Sequence, residues 1–88
     1  MPLEDNFKDA ADRVTKLPKR PPNDILLQLY ALYKQSLKGD INDKRPGFAD
    51  FEGRVKFDAW NKLKGKSPEE AMQEYIDLVQ RLEAEAAE

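Results

Sequence analysis

Residues 40–50 read "DINDKRPGFAD" and join two stretches that carry helical periodicity. Helix–helix connections in bundles usually take about 2–8 residues. This one is longer, and at ~3.3 Å per residue its extended reach is roughly 30 Å or more. A fifteen-residue helix is only about 22 Å long. The connection can therefore run back along a helix and start the next one at the same end. That predicts parallel second and third helices in an all-α four-helix bundle of up-down-down-up order. A turn is expected at Pro46-Gly47. Ile41 and Phe48 are the apolar residues expected to anchor the connection to the core.

Working outward, the flanking stretches show four helical patterns and no sustained alternation of the strand kind. The first is expected from about Glu4 to Leu17, with Phe7, Ala10, Ala11, Val14 and Leu17 at three- and four-residue steps. Pro18 ends it, and "PKRPP" makes a stiff turn. The second runs from Asn23 or Asp24, either a suitable cap, to Lys38, with Gly39 as its exit. The third is expected to begin near Asp50 and end before Gly65. The fourth opens on "SPEE": Ser67 caps, Pro68 suits the first position and Glu70 completes a capping box. Its stripe carries Ala71, Met72, Tyr75, Ile76, Val79 and Leu82, and its acidic end "EAEAAE" is expected to fray. The helices make a single domain over residues 2–86.

Composition narrows function. The 88 residues include no cysteine and no histidine. Disulfides, thiol catalysis, the usual structural zinc sites and the commonest general base are excluded. No nucleophile–base set stands out, so the chain is read as a non-enzyme without cofactor or metal. No apolar run approaches the ~20 residues of a membrane span, and "MPLEDNFKD" lacks the apolar core of a signal peptide. A cytoplasmic monomer without stable membrane insertion is expected. Net charge is −2, which argues against a nucleic-acid partner. Its distribution is uneven: residues 34–66 carry nine bases and five acids, whereas residues 67–88 carry seven acids and one base. The middle of the chain is where an anionic partner would bind.

The second helix presents two apolar arcs. With residues about 100° apart and Tyr30 at zero, Ile25, Leu29 and Leu32 fall on one side, whereas Leu26, Leu27, Tyr30, Tyr33, Lys34 and Leu37 lie within about 60° of zero. Polar positions such as Gln28 and Gln35 separate them. One arc packs the bundle. The other mixes leucines with phenols and a lysine, and four helices offer too few neighbours to cover both, so it is read as a ligand or partner surface. Lys56 lies inside the apolar arc of the third helix, formed by Phe51, Val55, Phe57, Ala59, Trp60 and Leu63. A lysine there either lays its stem across the core edge or joins Lys34 in holding a phosphate group. Tyr75 taken alone reads as a core aromatic. Ala10 and Ala11 permit close helix packing, or leave a trough for a thin apolar ligand.

The stretches "LYALYKQSLKGDINDKRPGFADFEGRVKFDAWNKLKG" (29–65) and "SPEEAMQEYI" (67–76) resemble the acyl-CoA-binding protein family. "LYKQ", "GDIN", "RPG", "KFDAWN" and "AM-x-x-YI" carry the resemblance in order and spacing, and it extends from Phe7 to about Leu82. It implies an up-down-down-up bundle and a non-enzymatic carrier and pool former for long-chain fatty acyl-CoA thioesters. Tyr30, Tyr33 and Lys34 match the family's head-group residues on the second helix, Lys56 the lysine on the third and Tyr75 the tyrosine on the fourth. The resemblance implies that these surround the adenine, the ribose and its 3′-phosphate. Ala31 and Leu32 fall in the same segment, although the angle of Leu32 favours packing. The acyl tail would lie along Ala10, Ala11, Val14, Leu26 and Leu27. Thr15 stands where the family often has a basic residue, which removes a phosphate contact unless Lys16, Lys19 or Arg20 supplies one. Phe57 replaces a frequent tryptophan. The competing reading from the residues alone is a helical interaction module that docks a partner helix on the second arc.

Overall fold

In the computed structural model, which describes residues 2–87, the chain forms four helices: α1 Leu3–Val14, α2 Asn23–Lys38, α3 Phe51–Asn61 and α4 Pro68–Ala86. Each end has a local cause. At α1 the expected run to Leu17 is cut short. The Thr15 hydroxyl donates to the Asp12 carbonyl at 2.7 Å, Lys16 N–H turns back to Arg13 O at 2.9 Å, and Pro18 disfavours helix at Leu17. Pro22 occupies the cap position of α2, and neither Asn23 nor Asp24 caps it. Asn23 Oδ1 instead accepts from Arg20 Nη1 at 3.1 Å, while Asp24 in the first turn suits the helix dipole. Gly39 leaves α2 with φ +73°, a conformation that costs glycine little.

Asp50 caps α3 by accepting from the Gly53 N–H at 3.0 Å. α3 stops at Asn61, and turns of the i→i+3 kind follow, with Leu63 N–H donating to Trp60 O at 2.9 Å. At α4 the predicted capping box forms: Ser67 Oγ accepts from Glu70 N–H at 3.1 Å, and Glu70 Oε1 accepts from Ser67 N–H at 3.4 Å. Its acidic end does not fray but stays helical to Ala86.

Helix directions follow from side-chain pairs. Arg13 Nε meets Glu83 at 3.0 Å, so the C-terminal ends of α1 and α4 lie together. Gln35 Nε2 donates to Lys66 O at 2.7 Å, which sets the end of α2 against the start of α4. Trp60 Nε1 donates to Gln35 Oε1 at 3.0 Å, whereas Leu26 and Leu27 share a groove with Phe51 and Val55. α2 and α3 are therefore parallel, and the order is up-down-down-up.

α2 packs on α4, α1 on α4 and α3 on α2; among the described residues α3 and α4 make no comparable contact. The main core joins Phe7, Ala10, Leu29, Leu32, Ala71, Tyr75, Ile76 and Val79. A smaller one holds Ala31, Ile41 and Trp60. Ile41 thus anchors the long connection as expected. Phe48 does not: it is 77% exposed. Arg45 does this work instead, gripping Asp58 of α3 through two bonds of 3.0 and 2.8 Å. The connection's turn is closed by Asp50 N–H to Gly47 O at 2.9 Å, just past Pro46-Gly47. The molecule is only 16 Å thick in its shortest dimension, so open grooves form rather than a closed chamber.

Candidate functional site

The Tyr30 ring stands at the middle of α2 between two ammonium groups. Lys34 Nζ lies 5.8 Å from the ring centroid and Lys56 Nζ lies 5.5 Å from it. Lys34 is also 6.0 Å from the Trp60 ring. These distances suit cation–π attraction, worth about 0.5–1 kcal/mol at an exposed site. Parallel packing of α2 and α3 is what brings the two lysines to one ring. Lys56 pairs with Glu52, one turn earlier, at 3.5 Å; Lys34 has no carboxylate within salt-bridge range among the described residues. The pair therefore offers a concentrated positive charge with at least one ammonium still unmatched.

Two grooves meet at the Tyr30–Leu26 wall. One, of about 520 Å³, lies between the α1–α2 connection, α2 and α4, and is lined by Val14, Lys19, Arg20, Tyr30, Tyr33 and Tyr75. The other, of about 460 Å³, lies between α2 and α3, with Leu26, Leu27, Phe51, Val55 and Lys56 along it. Arg20 reaches both. Behind the first groove Phe7, Tyr33 and Tyr75 form an aromatic cluster, with centroids 5.6, 5.1 and 6.1 Å apart pairwise. Tyr75 is largely enclosed, and burial, helped by the neighbouring Tyr33, pushes its phenol above the usual range. It stays a neutral phenol at physiological pH, fit to donate a hydrogen bond to an anion.

The structure thus brings Tyr30, Tyr33, Lys56, Tyr75, Val14, Leu26 and Leu27 around two adjoining grooves, with the Lys34 ammonium beside the Tyr30 ring. It does not bring in every residue picked from the sequence. Ala10 has no exposed surface and is locked between α1 and α4, so it cannot line an open trough as expected. Ala11 borders a separate hollow beside Phe7 and Tyr33. Ala31 and Leu32 are buried on the other side of α2. Phe51 and Val55, expected to pack, are 78% and 45% exposed and form a groove rim. Lys16 is held by Asp12 at 3.1 Å and stands away from the first groove. Lys19 and Arg20 line it, beside Thr15.

Sequence reasoning missed one organising residue. Gln35, taken for a polar separator, is fully buried. Its amide donates to Asp40 at 2.9 Å and to Lys66 O, while its carbonyl accepts from Trp60. It ties α2 and α3 to the long connection and to the turn before α4 at the end of the site. Only its place between two apolar arcs hinted at this.

The helix order, the two lysines around Tyr30 and the aromatic cluster stand with a sequence match. The profile of the Acyl CoA binding protein family matches residues 4–79. This chain belongs to the acyl-CoA-binding protein family. It is 49% identical over 85 residues to the Acyl-CoA-binding protein homolog of Drosophila melanogaster, covering 97% of this chain and 99% of that one. It is 49% identical over 76 residues to the Acyl-CoA-binding protein of Saccharomyces cerevisiae, covering 86% and 87% respectively. The crystal structure of Oryza sativa Acyl-CoA-Binding Protein 2 superposes with a TM-score of 0.94 at 41% identity, over 98% of this chain and 96% of that one. At such similarity the acyl-CoA-binding protein fold is shared throughout. Among the described residues no helix is long and apolar enough to cross a membrane.

Proposed function

We propose that this protein binds long-chain fatty acyl-CoA thioesters with high affinity and serves as their cytoplasmic carrier and pool former, as a monomer and without catalysing their conversion. The observation that carries this reading is the Tyr30 ring flanked by two ammonium groups at the meeting of two grooves. Coenzyme A combines phosphates, an aromatic base and a flexible tail, and each has a counterpart here. Lys34 and Lys56 meet the 3′-phosphate through charge-assisted hydrogen bonds. Tyr30 stacks on the adenine while the Tyr33 and Tyr75 hydroxyls donate to polar atoms. Lys19 and Arg20, which line the first groove beside Thr15, supply the phosphate contact that Thr15 lacks.

The tail lies against Leu26, Leu27, Phe51 and Val55. At ~0.8 kcal/mol per buried CH₂, a sixteen-carbon chain contributes on the order of 10 kcal/mol gross, and ordering costs remove a good part of it. Chain burial sets much of the affinity, and the head group sets identity.

Calorimetric titration with hexadecanoyl-CoA, free CoA and free hexadecanoate tests the reading. Tight saturable binding of the thioester, weaker binding of CoA and least binding of the free acid are expected. Equal affinity for thioester and free acid would overturn it. No saturable heat with the thioester, together with capture of an apolar helical peptide, would favour the interaction module.

A further inference from the structure

On the side of α2 turned away from Tyr30, a third groove, of about 640 Å³, opens between α2, α3 and α4. It exists because α3 leans on α2 without reaching α4 among the described residues. Its floor is hydrocarbon, formed by Leu27, Ala31, Leu32, Ala59 and Leu63. Two of its rim charges are engaged elsewhere: Asp58 holds Arg45 at 2.8 Å, and Glu74 pairs with Lys66.

Leu27 and Val55 border both this groove and the α2–α3 groove on the Tyr30 side. The two helices form a fork. Its closed end is the Trp60–Gln35 bond of 3.0 Å. Its open end is marked by the exposure of Phe51 and Val55. The near groove follows α2 from Asn23 to Tyr30, about 10 Å of helix axis at 1.5 Å per residue. That is shorter than the extended tail of a long fatty acyl chain.

We infer that the open end of the fork, at Leu27 and Val55, passes the distal methylenes of a long acyl chain into the far groove, where the half-buried Ala59 and Leu63 receive the methyl end. This rests on the acyl-CoA reading and adds a second subsite to it. Methylenes beyond the near groove leave water for an apolar floor, so each continues to add affinity. Short chains end before the fork and ignore the far groove.

Octadecanoyl-CoA bearing a photoreactive diazirine at its ω carbon, photolysed on the wild-type protein with and without excess unlabelled octadecanoyl-CoA, tests this directly. Competed label on residues 58–63 and on Glu74 is expected. Competed label confined to Phe51, Glu52 or the α1–α2 connection overturns the far subsite and leaves acyl-CoA binding standing. Absence of competed label and of saturable heat overturns both. In a second arm, Ala59→Phe fills the far groove. It is expected to weaken octadecanoyl-CoA about tenfold and to leave octanoyl-CoA within about twofold. Equal loss at both lengths, or loss at neither, overturns the subsite. The labelling arm decides the matter should this variant not fold.

Discussion

The indole N–H of Trp60 donates to Oε1 of Gln35 at 3.0 Å, and the bond closes one end of the α2–α3 fork. The same indole reaches Gly39 O at 3.0 Å, so Trp60 keeps a partner if Gln35 is lost. The Lys66 carbonyl and the Asp40 carboxylate each lose a donor. Gln35→Leu is predicted to cost about 1–3 kcal/mol, the penalty of stranding the half-buried Lys66 carbonyl, since the exposed Asp40 carboxylate keeps the Gly65 N–H and reaches water. Urea unfolding followed through Trp60, the single tryptophan of the chain, measures it. A loss below about 0.5 kcal/mol, the range of a neutral surface change, would remove Gln35 as the tie between the helices.

Lys34→Ala and Lys56→Ala are each predicted to weaken hexadecanoyl-CoA binding by about tenfold or more, since a hydrogen bond to a charged group is worth about 1.5–3 kcal/mol. Stability should barely move. The Lys56–Glu52 pair is a solvent-facing i,i+4 pair, of a kind worth about 0.3–0.5 kcal/mol. Titration of both variants against the thioester and its 3′-dephospho analogue separates the contributions. The lysine effect should shrink when the 3′-phosphate is absent. An undiminished effect would place the lysines on another part of the ligand.

Ala10→Leu is predicted to destabilise the fold by about 1–3 kcal/mol, because extra methylenes have no room between α1 and α4. Ala11→Leu borders an open hollow and should cost less. Denaturant midpoints of the two variants make the comparison, and a larger loss at Ala11 would contradict the packing described for α1.

Asp40 gives the fold an acid limb. The Gly65 N–H at 2.8 Å, then the Gln35 amide at 2.9 Å, hold its carboxyl below the usual carboxylate range. A depressed folded pKa contributes stability that is fully present above the unfolded value of 3.8. That stability is lost as pH falls through the lower folded value. The urea midpoint should therefore fall between about pH 5 and pH 2, and Asp40→Asn should flatten part of that fall. An unchanged slope in the variant would show that Asp40 carries none of it.

The sequence by itself determined the helices, their breaks and their order. Ser67 with Glu70, Asp50, Gly39, Pro18 and the span of residues 40–50 act through local geometry and chain reach, which neighbours several residues away suffice to specify. It also placed Tyr30, Tyr33 and Lys34 on one arc, since helical angle is a local property. Tertiary structure alone decided which arcs are covered. Ala10 and Ala11 have near-identical local signals, yet only Ala10 is sealed by α4. Gln35 reads as a surface residue until Trp60, Asp40 and Lys66 arrive from three other segments. Phe48 and Phe51 look like core residues but stay exposed, because among the described residues α3 packs on α2 and the long connection and not on α4. Burial is a pairwise outcome of distant elements, and the open fork is set by where those elements fail to meet.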